Sequence, residues 1–191
     1  MIVTGHLLRS APRLGCEPGL PTAITRHPIQ PMQTLLGPLH DHLIQQGLIV
    51  HPLGDGEGLF AQVNLEHLRM GVALCSHGPQ GGLTVEGSLP VPAPIDRRSA
   101  VAELLTRINW NLRRGLFLMD FSDGEIRFRY ENGKQEGPID LNDAETGLRL
   151  CCRMVDSFFP ALMSVIYRDT PPEEALIQAE KDYDSQPKGA E

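Results

Sequence analysis

The most ligand-like group in this 191-residue sequence is His40-Asp41-His42, two imidazoles flanking a carboxylate. On a helix, positions i and i+2 point about 200° apart, so the two rings diverge instead of sharing a cation. Metal sites on helices use i,i+3 or i,i+4 spacing, as in H-E-x-x-H, and that motif is absent. A solvated pair is the expectation. Cys75-Ser76-His77 is spaced for a strand, where i and i+2 share a face, and a thiol beside an imidazole is the start of a nucleophilic centre. No third residue to orient that histidine can be named from the sequence. His6, His27 and His51 lie beside Gly or Pro in poorly patterned stretches. The expectation is that the seven histidines, all within residues 1–77, build no catalytic centre and hold no metal.

Gly54-Asp55-Gly56-Glu57-Gly58 has the glycines of a phosphate cradle but no Lys-Ser/Thr, and a strand pattern follows where a helix N-terminus would be needed. It reads as a tight turn. Asp120, Asp123 and Glu125 crowd one short segment and suit a cation, yet Asp123-Gly124 is also what a hairpin turn demands. Arg113 and Arg114, with Arg127 and Arg129, approach a basic patch near Trp110. Asp120, Glu125 and Glu131 interleave with them, which argues against binding a phosphate backbone. The four cysteines (16, 75, 151 and 152) show no metal-finger or C-x-x-C spacing and read as free thiols of a reducing cytoplasm.

Composition bounds the rest. With 41% hydrophobic and 21% charged residues, the chain is an ordinary globular protein of one main domain. Its net charge of −7 argues against general nucleic-acid binding. Residues 169–191 hold seven acids and two lysines, so the acidity is largely a property of a solvated C-terminal end. The richest apolar run, Phe158 to Ile166, is nine residues long and contains Pro160 and Ser164, which does not suggest a membrane span. The start meets Arg9 at once without a charged leader, so no secretory signal is expected.

Residues 1–31 contain five Pro and three Gly without a sustained period, an irregular or disordered extension. Residues 32–168 carry the single α+β domain, and 169–191 an acidic C-terminal helix and tail. From Gln33, Leu35, Leu36, Leu39, Leu43 and Ile44 recur at helical spacing up to Gly47. Leu48–Leu53, the alternation Leu59/Ala61/Val63/Leu65, then Met70/Val72/Leu74, then Leu83/Val85/Leu89 predict four antiparallel strands with one wet face. After Pro90, Pro92 and Pro94, Asp96 or Ser99 caps a helix with Val101, Leu104, Leu105, Ile108 and Leu112 on its apolar face, ended by Gly115. Phe117, Met119 and Phe121 pair across a turn with Ile126, Phe128 and Tyr130. A long helix from about Asn142 follows, which Pro160 should kink or divide, with Phe159 as a core anchor. A short helix begins at Thr170-Pro171-Pro172. The order α-β-β-β-β-α-β-β-α predicts an antiparallel sheet packed on helices.

The stretch from Ile108 to Leu162 carries a resemblance. Ile108-Asn109-x-Asn111, Gly115-x-Phe117-x-Met119-Asp120, Asp123-Gly124-x-Ile126-x-Phe128-Arg129, Asp140-Leu141 and Met154-Val155-Asp156-x-x-Phe159-x-x-Leu162 resemble the YbjN-type proteins and their cyanobacterial relatives, which share the fold of type III secretion chaperones. The resemblance covers somewhat under a third of the chain. It implies a cytoplasmic, non-enzymatic protein-binding module, a homodimer with a regulatory or assembly-assisting role, an unidentified protein partner and no cofactor, nucleic acid or membrane. Asn109, Asn111, Gly115, Asp120, Asp123 and Gly124 are then structural, with the two asparagines bonding helix to strand. Trp110, about 200° round the helix from Ile108, is the candidate interface residue, with Arg113 and Arg114 beside it. The alternative is a small enzyme using Cys75 and His77, or a metal held by a histidine cluster.

If residues 1–31 add nothing to the core, a chain beginning at Met32 melts within a few degrees of the full chain, since about 1 kcal/mol shifts a domain of this size by only ~2–4 °C. Calorimetry of the two chains checks this, and a much larger drop means that the segment packs on the core.

Overall fold

The residue pattern places four strands in succession, three of them by period-2 alternation, and a computed structural model, which describes residues 36–54, 58–76, 82–132 and 140–185, gives their arrangement. Helix α1 (Gly37–Gln45) leads into β1 (Ile49–Leu53), β2 (Gly58–Asn64), β3 (Arg69–Ser76) and β4 (Leu83–Ser88). Helix α2 (Arg98–Asn111), the hairpin β5 (Leu116–Met119) and β6 (Ile126–Asn132), then α3 (Leu141–Arg168) and α4 (Pro172–Ser185) complete the chain. All strands join one antiparallel sheet in the order β1-β2-β3-β4-β6-β5. The first four form a meander. Helix α2 then carries the chain to the far edge, and the hairpin returns β6 between β5 and β4. This is the expected α+β architecture.

The apolar side of each strand faces the helices. Leu59, Leu74, Val85 and Tyr130 lie in one cross-strand row, and Ala61, Val72, Gly87, Phe128 and Phe117 in the next. Except for Gly87, these are core hydrophobics, packed with Val101, Leu104, Leu105 and Ile108 of α2 and an α3 stripe that runs from Ala144 to Ile166. Gly87 lets α3 come close: a Cβ there would meet Cys151 Sγ at 2.6 Å. By length and composition α3 is apolar enough to cross a membrane, and here it is the helix on which the sheet is packed.

Several expectations need correction. The helix expected from Gln33 runs from Gly37, with Pro38 in its first turn, and residues 33–35 lie outside the described residues. Neither Asp96 nor Ser99 caps α2. Arg97 occupies that position with helical backbone angles because the Pro94–Arg97 turn runs straight into the helix, Arg97 N–H bonding to the Pro94 carbonyl. The helix stops at Asn111, and Gly115, in the left-handed region at φ +70°, belongs to the entry into β5. Phe121 is in the turn and exposed, not on the β5 side of the hairpin. Pro160 does not divide α3: it sits on the solvent side while Val155, Phe158, Ala161, Leu162 and Val165 bury the opposite face on both sides of it. The C-terminal segment is only partly a solvated end. Ala175 and Ala179, one turn apart on α4, are buried, and Glu173, Glu174, Glu180 and Asp182 stay exposed.

Phe158, and not Phe159, is the aromatic of α3 that enters the core. It is 9% exposed and meets Phe117 edge-on at 6.0 Å, whereas Phe159 is half-buried at the flank of the stripe. Successive helical residues turn by 100°, so only one of the pair can align with Val155 and Leu162. Phe158→Ala should cost about 3–5 kcal/mol in denaturant unfolding. Phe159→Ala should cost markedly less, and equal losses would contradict the packing.

Candidate functional site

The C-terminal turn of α2 gathers most of the candidate residues. Ile108 points into the core, and each following residue rotates by 100°. Asn109 therefore faces β5: its Nδ2 donates to the Phe117 carbonyl at 2.9 Å and its Oδ1 accepts the Phe117 N–H at 2.8 Å. The amide thus satisfies both backbone groups of one edge residue. Asn111 points the other way and donates to Glu180 Oε1 of α4 at 3.3 Å, so it joins two helices, not helix to strand as expected. Trp110 lies between these directions, outward, and is 88% exposed. Neither the Pro-rich connector nor α4 covers it. Arg113 and Arg114 follow on the exposed link to β5.

The hairpin residues are engaged locally. Asp120 Oδ1 accepts from Ser122 N–H and Oγ, both at 2.7 Å, and Asp123 Oδ1 accepts from Glu125 N–H at 2.9 Å. Gly124 has φ +85°, and a Cβ there would lie 2.1 Å from the Ala93 carbonyl oxygen, so only glycine fits against the connector. Arg98 holds the same corner from α2, donating to the Ala93, Phe121 and Ser122 carbonyls. These carboxylates shape a turn.

The basic patch is divided between two places. Arg127 and Arg129 lie on the sheet face away from the helices, where both bond to Glu86 at 2.7 Å. Arg127 also pairs with Glu125, and Arg129 reaches Glu131 at 3.7 Å. Arg114 lies near the Tyr130 hydroxyl, which donates to Asp143 Oδ1 at 3.0 Å. Burial raises the Tyr130 hydroxyl above its usual range, the Asp143 carboxylate adds to that, and Arg114 opposes it.

The histidine pair diverges as helical spacing requires. His40 Nδ1 meets Asp41 at 3.1 Å, while His42 Nε2 meets Glu145 of α3 at 3.4 Å. His77 lies outside the described residues, so the Cys75–His77 geometry is not described. Among the described residues, Cys75, Cys151 and Cys152 form no disulfide. Burial pushes the Cys152 thiol up to about 11, aided by the Asp156 charge, and drives Cys151 well above its usual range, so neither is a thiolate at neutral pH. Sequence reasoning passed over one convergence, that of Glu66 and His67 on the β2–β3 turn with Asp156 on α3, because 89 residues separate His67 from Asp156.

Removing the Asn109 amide leaves two backbone groups of a buried residue without partners. Asn109→Ala should cost about 1–3 kcal/mol. Asn111→Ala, at an exposed pair, should stay within roughly 0.5 kcal/mol. Denaturant midpoints of both variants check the contrast. No protein-family model matches this chain, and no curated protein matches it.

Proposed function

We propose that this chain is a non-enzymatic protein-binding module of the cytoplasm that works as a homodimer, in the regulatory or assembly-assisting role that its resemblance to YbjN-type and secretion-chaperone proteins implies. The observation that carries the reading is Trp110, 88% exposed on α2 and one residue from the asparagine that grips β5. Large aromatics left in water are favoured where surfaces become buried on association.

The sheet edges support a second copy as the occupant. The β1 edge carries Pro52 and His51, residues that blunt pairing with another strand. The β5 edge reads Leu-Phe-Leu-Met, with no charge and no proline, and Leu116 is 42% exposed. Exposed Arg113 and Arg114 precede this strand, and exposed Asp120 and Asp123 follow it. Because Asn109 already fills the outward N–H and carbonyl of Phe117, a second copy would meet this edge through side chains and not by strand pairing. About a two-fold axis Trp110 and Leu116 of one copy face those of the other, and the basic end of one edge lies by the acidic end of the other.

In light scattering, the wild-type chain should be a dimer at high micromolar concentration, and Trp110→Ala and Leu116→Lys should be folded monomers. Trp fluorescence of the wild type should move to the red on dilution. A wild-type monomer at high micromolar concentration defeats the reading, and so do variants that remain dimers.

A further inference from the structure

Away from α2 and the β5 edge, the β2–β3 turn meets the middle of α3. Asp156 accepts the backbone N–H of His67 at 2.9 Å and of Glu66 at 3.3 Å, and its Oδ1 lies 3.3 Å from His67 Nδ1. One Glu66 oxygen, one His67 ring nitrogen and one Asp156 oxygen lie within 4.8 Å of one another. Glu66 and Asp156 line a cleft of about 380 Å³ together with Arg149, Cys152, Arg153 and Ser157. Glu66 and His67 are exposed, so water and ions reach the three donors.

We propose that Glu66, His67 and Asp156 form a binding site for a divalent transition cation of the zinc class. Zinc bonds to imidazole nitrogen and carboxylate oxygen at about 2.0–2.2 Å, so tetrahedral donors lie about 3.4 Å apart. The His67–Asp156 separation of 3.3 Å matches that spacing before any ion arrives. Only the Glu66 carboxylate, on a flexible exposed side chain, has to draw in. The backbone N–H groups that hold Asp156 fix its orientation as outer-shell bonds do around established metal ligands. Two carboxylates balance the charge of a divalent ion, and the imidazole selects against magnesium and calcium, which take oxygen ligands. Arg149 and Arg153 line the same cleft, and Arg149 is held by Glu145 at 2.6 Å. Water completes the coordination of the three-residue site. The ion would clamp the β2–β3 turn to α3, joining parts of the chain that only the fold brings together.

The test uses the full chain, stripped with chelator and titrated with zinc chloride by calorimetry and in thermal melts. One equivalent should bind with a micromolar Kd, and zinc at about a hundredfold excess over Kd should raise Tm by roughly 5–10 °C. His67→Gln and Glu66→Gln, both at exposed positions, should each weaken binding about tenfold or more while moving the zinc-free Tm by no more than about 2 °C. His40→Ala with His42→Ala should leave binding intact. The proposal fails if zinc does not bind in the high micromolar range, if binding survives His67→Gln, or if magnesium produces the same rise in Tm.

Discussion

The seat of α3 on the sheet is the constraint from which the other positions follow. It is set by two notches. Gly87 on β4 leaves room for Cys151, and Gly147 on α3 leaves room for the Tyr130 ring, whose Cδ1 would lie 2.5 Å from a Cβ at that position. With the backbones this close, the buried stripe of α3 reaches the apolar rows of β3, β4 and β6. Interiors packed at this density tolerate little change in volume, so the helix has one axial position and one rotation. That rotation presents Asp156 to the β2–β3 turn, Glu145 to His42 and Asp143 to Tyr130. It also leaves a lateral surface on which α2 and α4 pack.

Helix α2 inherits its orientation from that surface. Once Ile108 is committed to the core and Asn109 to the backbone of Phe117, the next residue has nowhere to go but solvent. Trp110 is exposed as a geometric consequence of its neighbours' bonds, and a partner is what would remove it from water. The edge strand beneath it is short because the chain reverses at a corner that Gly124, Arg98 and Asp120 hold tightly.

The opposite sheet face is organised by charge. Glu86, 15% exposed, sits between Arg127 and Arg129, each of which has a further carboxylate beside it. Arginines paired in this way are spent within the sheet, where they bridge strands β4 and β6. These pairs separate Arg127 and Arg129 from Arg113 and Arg114, which lie exposed on the link to β5.

Much of the architecture was legible in local patterns. Alternation marked β2 to β6 and a short run β1, helical periodicity marked α1 to α3 and the Thr170-Pro171-Pro172 start marked α4, and the 200° offset from Ile108 marked Trp110, because each of these depends on residues within a turn or two of one another. The choice of Phe158 over Phe159 was not legible, since both fit a helical stripe until the sheet fixes its centre. Nor was the unbroken passage of α3 through Pro160, because tertiary packing on both flanks offsets a local preference. Asn111 is paired with Glu180, 69 residues away, and His67 with Asp156, 89 residues away. Spacing rules register only neighbours, so contacts of that range exist only once the chain has closed on itself. The sequence by itself determined which faces are apolar and which residues turn the chain. The tertiary structure decided which side chains meet across those faces, because that depends on how closely and at what rotation α3 settles on the sheet.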